Sequence, residues 1–171
     1  MNPLLKDIFT EAEHIVSKAN ASSIKIGTAE SCTGGLVGAA ITSISGSSAC
    51  YMGGIISYAN NVKIKQLNVP ADMIKTHGAV SEPVALAMAE GARDALNLDI
   101  AISVTGIAGP GGGSAEKPVG LVYIALAHGL NVKVEKFNFG NIGRNEVRDH
   151  TSLQALKKLH IAVDTVMKQR L

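Results

Sequence analysis

The stretch 99-DIAISVT-105, followed by 106-GIAGPGGGSAEKP-118, decides the fold. Ile100, Ala101, Ile102 and Val104 form a short, nearly continuous apolar run, the pattern of a strand covered on both faces. The glycine-rich segment after it cannot continue a strand or start a regular helix, so it reads as a long loop at the strand's carboxyl end. Immediately upstream, Val84, Leu86, Ala87, Met88 and Ala92 predict a helix that ends near Leu96. Ser81 stands at its N-cap and Pro83 in its first turn. Downstream, Val119–Ala127 and Val132–Phe139 flank a turn at His128–Asn131, a hairpin signal.

Further out the alternation persists. Leu4, Leu5, Ile8, Phe9, Ala12, Ile15 and Val16 predict a helix over Pro3–Lys18. A strand is expected at Ile24–Ala29, a helix over Thr33–Ile44, and a strand with two internal glycines at Tyr51–Ala59. A short helix holds Lys63 and Leu67 ahead of Pro70, and Leu153, Leu156, Leu159, Val163 and Val166 mark a long final helix. Interleaved helices and strands with one late hairpin predict a single three-layer α/β/α domain with a mixed β-sheet, spanning residues 1–171 without repeat or linker.

Composition narrows the function classes. With 46% hydrophobic and 18% charged residues, the chain can bury a core and is not disordered. Aromatics make up 4% and Trp is absent, which leaves little with which to stack bases. The formal net charge of +2 contains no run of like charges, so no nucleic-acid partner is expected. No apolar stretch reaches the roughly 18 residues of a membrane span, and MNPLLKDIFTEAEHIV is not built like a signal peptide. A cytoplasmic protein without membrane partner is the expectation. Cys32 and Cys50 are expected to be reduced packing residues. The five histidines, among them His77, His128 and His160, show no evident partner or ligand spacing and are read as structural or exposed. No metal or cofactor is expected.

Four places could carry chemistry. In TAESCTGG (28–35), small hydroxyls and glycines at a helix start leave N–H groups free for a phosphate or an oxyanion, and Ser31 sits where a nucleophile could be presented. Simple helix capping by Ser31 or Thr33 is the plainer alternative. Tyr58 and Lys63 flank a strand-to-helix turn. The lysine can activate a serine only if its pKa is lowered; otherwise it is a solvated surface lysine. TGIAGPGGGS (105–114) lies where ligands of open α/β sheets bind, yet it fits neither a phosphate-loop nor a dinucleotide pattern. Arg144 and Arg148 share one helix face near its N-terminus, where a bound anion would relieve the unfavourable dipole. Partners Glu146 or Asp149 would explain them equally.

Taken in order, TAESCTGG (28–35), GSSA (46–49), GGIISYAN (53–60), HGAVSEPVA (77–85), TGIAGPGGG (105–113), EKPVG (116–120) and GRNEVR (143–148) resemble the CinA C-terminal family. One departure is ISGSS (44–48), where the family commonly has PGAS; Gly46 and Ser48 are kept. The resemblance implies a nicotinamide-nucleotide amidase that converts nicotinamide mononucleotide and water to nicotinate mononucleotide and ammonia, in its stand-alone form. It further implies a role in returning the mononucleotide to NAD synthesis and a homo-oligomer, expected to be a dimer. Carried onto this sequence, Ser31 is the expected nucleophile with Ser48 as its rival, Lys63 the general base and Tyr58 the proton relay or orienting group. Thr33, Gly34 and Gly35 would meet the oxyanion or phosphate, and Thr105, Gly106, Arg144 and Arg148 the ribose phosphate. A non-catalytic phosphate-binding module is the alternative reading.

Overall fold

The computed structural model describes residues 3–170. Among them, six helices flank one five-stranded sheet of order β2-β1-β3-β4-β5. The strands are β1 (Ile26–Glu30), β2 (Tyr51–Ile56), β3 (Ile100–Gly106), β4 (Leu121–His128) and β5 (Asn131–Asn138). β2, β1 and β3 run parallel, whereas β4 and β5 are antiparallel neighbours. The sheet is therefore mixed, as expected, and β3 is buried from Ile100 through Thr105.

The helices are α1 (Pro3–Ala21), α2 (Leu36–Thr42), α3 (Asn60–Leu67), α4 (Ala71–His77), α5 (Glu82–Leu96) and α6 (Arg144–Gln169). One layer is made of α1, α2 and α6. Ile8, Ala12, Ile15, Val16 and Ala19 of α1 and Leu153, Leu156, Leu159 and Val163 of α6 form one cluster with Ile26, Ile100, Ile102 and Ile124 of the sheet. The other layer is made of α3, α4 and α5, whose Leu67, Ile74, Val84 and Met88 close on Ala29 and Ala101 from the opposite face. These are the three layers that alternating helices and strands require.

Several elements begin or end differently from the sequence expectation. The helix expected from Thr33 starts only at Leu36, because Gly34 and Gly35 have φ of 62° and 100°, outside the helical region. The strand expected from Ile24 begins at Ile26 and reaches Glu30. The next strand stops at Ile56, three residues short of Ala59, where the chain turns into α3. α4 is a further helix that the apolar pattern did not announce. Ser81 does stand at the N-cap of α5, but its hydroxyl donates back to the Gly78 carbonyl at 2.8 Å instead of capping the helix. Both cysteines are buried free thiols. No helix among the described residues is long and apolar enough to cross a membrane.

The topology places a crevice. From β1 the chain crosses through α2 on one face to β2, then through α3–α5 on the other face to β3. The carboxyl ends of β1 and β3 therefore lie side by side at the point where the winding reverses, the usual ligand position in such sheets.

Leu156 is fully buried between α6 and the sheet. Leu156→Ala is expected to lower the unfolding free energy by roughly 2–5 kcal/mol, through lost burial and the cavity left behind. Equilibrium urea denaturation measures this, and a loss below about 1 kcal/mol would contradict the placement of Leu156 in the core.

Candidate active site

The first turn after β1 is organised by a residue that the sequence reading passed over. Glu30 is 2% exposed, and its carboxylate accepts hydrogen bonds from the Thr33 hydroxyl at 2.7 Å and the Gly35 N–H at 2.9 Å. It also accepts from the N–H groups of Val37 at 3.1 Å and Gly38 at 2.8 Å. These are the donors that a helix start leaves unpaired. Gly35, at the N-cap, supplies no side chain, so the acid five residues upstream caps α2 in its place. The signal was present in TAESCTGG: a lone acid between a strand and a helix that opens on glycines.

This changes what the turn can bind. The Gly34 N–H donates to the Ser31 carbonyl at 3.1 Å, and the Gly35 N–H is taken by Glu30. The Thr33 side chain is fully buried on Glu30. The three residues expected to meet an anion thus serve to hold the turn. Arg148 does the same from α6: its Nε and Nη2 donate to the carbonyls of Cys32 and Thr33 at 3.2 and 3.1 Å. It pairs with neither Glu146 nor Asp149.

What the turn presents is Ser31. Its backbone N–H is fixed by the Val104 carbonyl of β3 at 3.0 Å, and its hydroxyl lies 3.0 Å from Lys63 Nζ. Lys63 is 1% exposed, not a solvated surface lysine. Its Nζ also donates to the carbonyls of Ser57 at 2.6 Å and Tyr58 at 3.2 Å. No carboxylate pairs with it among the described residues. Burial without a counter-charge disfavours the ammonium and lowers the Lys63 pKa to about 8. Carbonyls can only accept, so in the neutral amine two N–H bonds stay with Ser57 and Tyr58 and the lone pair is left facing Ser31. That is the geometry of a serine with its general base.

The same turn carries Cys32, but burial pushes its thiol up to about 12, which leaves it protonated at neutral pH. The Thr105 hydroxyl is engaged with the Ala79 carbonyl at 2.9 Å. Ser48 is not brought to this group. It is exposed in a short 3-10 turn just before β2, whereas Ser31 follows the end of the parallel strand β1. The two serines stand at opposite ends of the parallel strands, Ser48 before the amino end of β2 and Ser31 past the carboxyl end of β1.

Ser31, Tyr58, Thr105, Gly106 and Arg144 line one cleft of about 270 Å³ at the carboxyl ends of β1 and β3. Gly106 must be glycine, since a Cβ there would run into Val122 and the Leu121 carbonyl. The Tyr58 side chain is 60% exposed, and its hydroxyl accepts from Arg144 Nη2 at 3.0 Å; only its carbonyl touches Lys63. Arg144 Nη1 donates to the Gly109 carbonyl of the glycine-rich loop at 2.8 Å. Two of its five donors are used, and no carboxylate neutralises it among the described residues. The cleft therefore joins a serine–lysine pair to an unpaired guanidinium.

Glu30→Ala would strand the buried N–H groups of Gly35, Val37 and Gly38. A loss of more than about 3 kcal/mol in unfolding free energy is expected, at roughly 1–3 kcal/mol for each orphaned donor. Urea denaturation is the measurement, and a near-neutral substitution would remove Glu30 from its capping role.

The CinA C-terminal domain family matches residues 9–163 of the chain. A CinA-like protein of Parasynechococcus marenigrum is 48% identical over 150 residues, which cover 86% of this chain and 36% of that protein. A CinA-like protein of Citrifermentans bemidjiense is 52% identical over 135 residues, 79% of this chain and 32% of the relative. The chain thus spans about a third of the length of these relatives. Among solved structures, the competence/damage inducible protein CihA from Agrobacterium tumefaciens superposes with a TM-score of 0.90 at 45% identity, covering 92% of this chain and 96% of that one. A CinA superfamily protein from Escherichia coli gives a TM-score of 0.86 at 29% identity, with 90% of each chain covered. The chain belongs to the CinA C-terminal domain family.

Proposed function

We propose that this chain hydrolyses the carboxamide of nicotinamide mononucleotide to nicotinate mononucleotide and ammonia, with Ser31 as nucleophile and Lys63 as general base. The observation that carries the reading is the 3.0 Å contact between Ser31 and a lysine that is buried, unpaired and shifted toward its neutral form. Two carbonyl contacts alone do not offset the burial of a charged amine, whereas a neutral base beside a serine makes use of it.

In the first half-reaction the Ser31 proton passes to Lys63 Nζ as Oγ bonds to the carboxamide carbon. The tetrahedral intermediate collapses when the Lys63 ammonium returns the proton to the leaving nitrogen, and ammonia departs. Lys63 then takes a proton from water, whose oxygen attacks the acyl ester, and Ser31 recovers its hydroxyl as the nicotinate is released. Ser57 and Tyr58 carbonyls hold Nζ in place through both protonation states. Arg144, uncompensated in the same cleft, is suited to the phosphate of the mononucleotide, and Tyr58 fixes its guanidinium. Arg148 acts behind the turn, holding the backbone on which Ser31 sits. Met52 and Ile56, exposed on edge strand β2, support the expected homodimer.

Incubation with nicotinamide mononucleotide should release ammonia and nicotinate mononucleotide in equal amounts, and Ser31→Ala should reduce turnover by at least about 10³-fold. Binding without release would favour the non-catalytic phosphate-binding module instead. Lys63 must be neutral to accept a proton, so kcat/KM should be low below its pKa and rise with pH to a plateau above about 8. A flat profile between pH 6 and 9 would remove Lys63 as the base. Arg144→Ala should raise KM more than it lowers kcat if the phosphate contact is equal in ground and transition states. An unchanged KM would detach Arg144 from the phosphate.

A further inference from the structure

On the far side of the molecule from Ser31, α1 and α6 pack along one another and bring together groups that the sequence keeps about 150 residues apart. Glu11 and His14 lie three residues apart on α1, hence on one face. His160 approaches them from α6, with Nδ1 2.7 Å from Glu11 Oε2 and its ring centroid 5.2 Å from that of His14. A carboxylate oxygen of Glu11 and one ring nitrogen from each histidine lie within 4.8 Å of one another. His160 was read from sequence as partnerless. Helix packing gives it partners on both ring nitrogens.

We infer that Glu11, His14 and His160 form a binding site for a divalent transition metal ion of the zinc type, which clips α1 to α6. The ligand set is two imidazoles and one carboxylate, the combination that favours zinc, cobalt or nickel over magnesium or calcium. A point equidistant from three atoms at that spacing lies about 2.8 Å or less from each, against roughly 2.0–2.2 Å for zinc bonds to nitrogen and oxygen. Small side-chain rotations close the difference, and His14 is free to make them. It is exposed and has no hydrogen-bond partner among the described residues.

The partners on its two ring nitrogens set the tautomer of His160. Lys18 Nζ can only donate, and it lies 2.8 Å from His160 Nε2. Nε2 is therefore the acceptor and Nδ1 carries the proton, directed at Glu11. A metal ion takes the place of that proton, bonding both Nδ1 and the Glu11 carboxylate. For the displaced proton to move to Nε2, Lys18 Nζ must swing off that nitrogen, to which it donates at 2.8 Å, and Asp164 Oδ2, 3.8 Å away, must close in as the acceptor. Lys18 meanwhile keeps its 2.7 Å bond to Asp164 Oδ1. A carboxylate behind a metal-bound histidine is the arrangement that orients such ligands. The ion pairs alone do not account for His14, which contributes nothing to them.

The site takes no part in the proposed amide hydrolysis. His160 lies more than four turns beyond Arg144 on α6, about 24 Å along the axis. Its effect is to restrain the N-terminal helix, and metal that binds only the folded chain raises its unfolding temperature.

The test uses the chain without a histidine tag, freed of metal by a chelator. Isothermal titration with Zn²⁺ should show one ion per chain, and Co²⁺ should develop visible absorption as it takes nitrogen and oxygen ligands. His14→Ala and Glu11→Gln, both at the surface of α1, should each weaken Zn²⁺ binding at least about tenfold. In both variants the far-UV circular dichroism and the Ser31-dependent turnover should be unchanged. Absence of binding at millimolar Zn²⁺, or equal binding in wild type and both variants, overturns the site. Neither result bears on the serine–lysine reading, which has its own assay.

Discussion

The buried carboxylate of Glu30 is the interaction on which the rest of the site depends. It sits at the last position of β1 and gathers the N–H groups of Gly35, Val37 and Gly38 together with the Thr33 hydroxyl. Its own carbonyl accepts the N–H of Ser57, just past the end of neighbouring β2, at 2.8 Å. One residue thus fixes the start of α2, the loop that carries Ser31, and the exit of β2 that delivers Lys63. The helix dipole favours a negative group at this end, so the arrangement is stabilising as well as directive. It also occupies the N–H groups that a helix start would otherwise offer to an anion, so the cationic group facing the cleft is Arg144.

The second constraint is the desolvation of Lys63. A buried lysine without a carboxylate is destabilising in its charged form, and two backbone carbonyls only partly replace water around it. The same cost brings the amine close to neutral pH, where it can exchange a proton with Ser31. Cys32 shows the opposite consequence of the same burial: its thiol is pushed up to about 12 and stays protonated at neutral pH, although it lines the same cleft as Ser31. Burial therefore selects among neighbouring groups as well as tuning one of them.

The two arginines of GRNEVR illustrate how one helix face can serve two ends. Arg144, at the first residue of α6, reaches the cleft and the glycine-rich loop. Arg148, one turn later, is drawn beneath the Ser31 turn by two carbonyls. Identical side chains at four-residue spacing thus meet different partners, Arg144 the Gly109 carbonyl and Tyr58, Arg148 the carbonyls of Cys32 and Thr33. The far end of the same helix meets α1 through His160, so α6 ties the cleft to the opposite side of the domain.

The sequence by itself determined the alternation of strands and helices apart from α4, and the mixed sheet, because these follow from local patterns. Apolar periodicity separated strands from helices, glycine clusters marked the loops, and the motifs at TAESCTGG and TGIAGPGGG fell at strand ends where ligands bind. Tertiary structure alone decided which side chains meet. Lys63 is buried beside Ser31 only because β1 and β2 are parallel neighbours, and Ser48 is left at the amino end of β2 for the same reason. Glu30 became a cap because the chain turns back on it, and His14 found His160 because two helices distant in sequence share a layer. Such pairings depend on the positions of whole elements, to which the spacing of residues along one segment is blind.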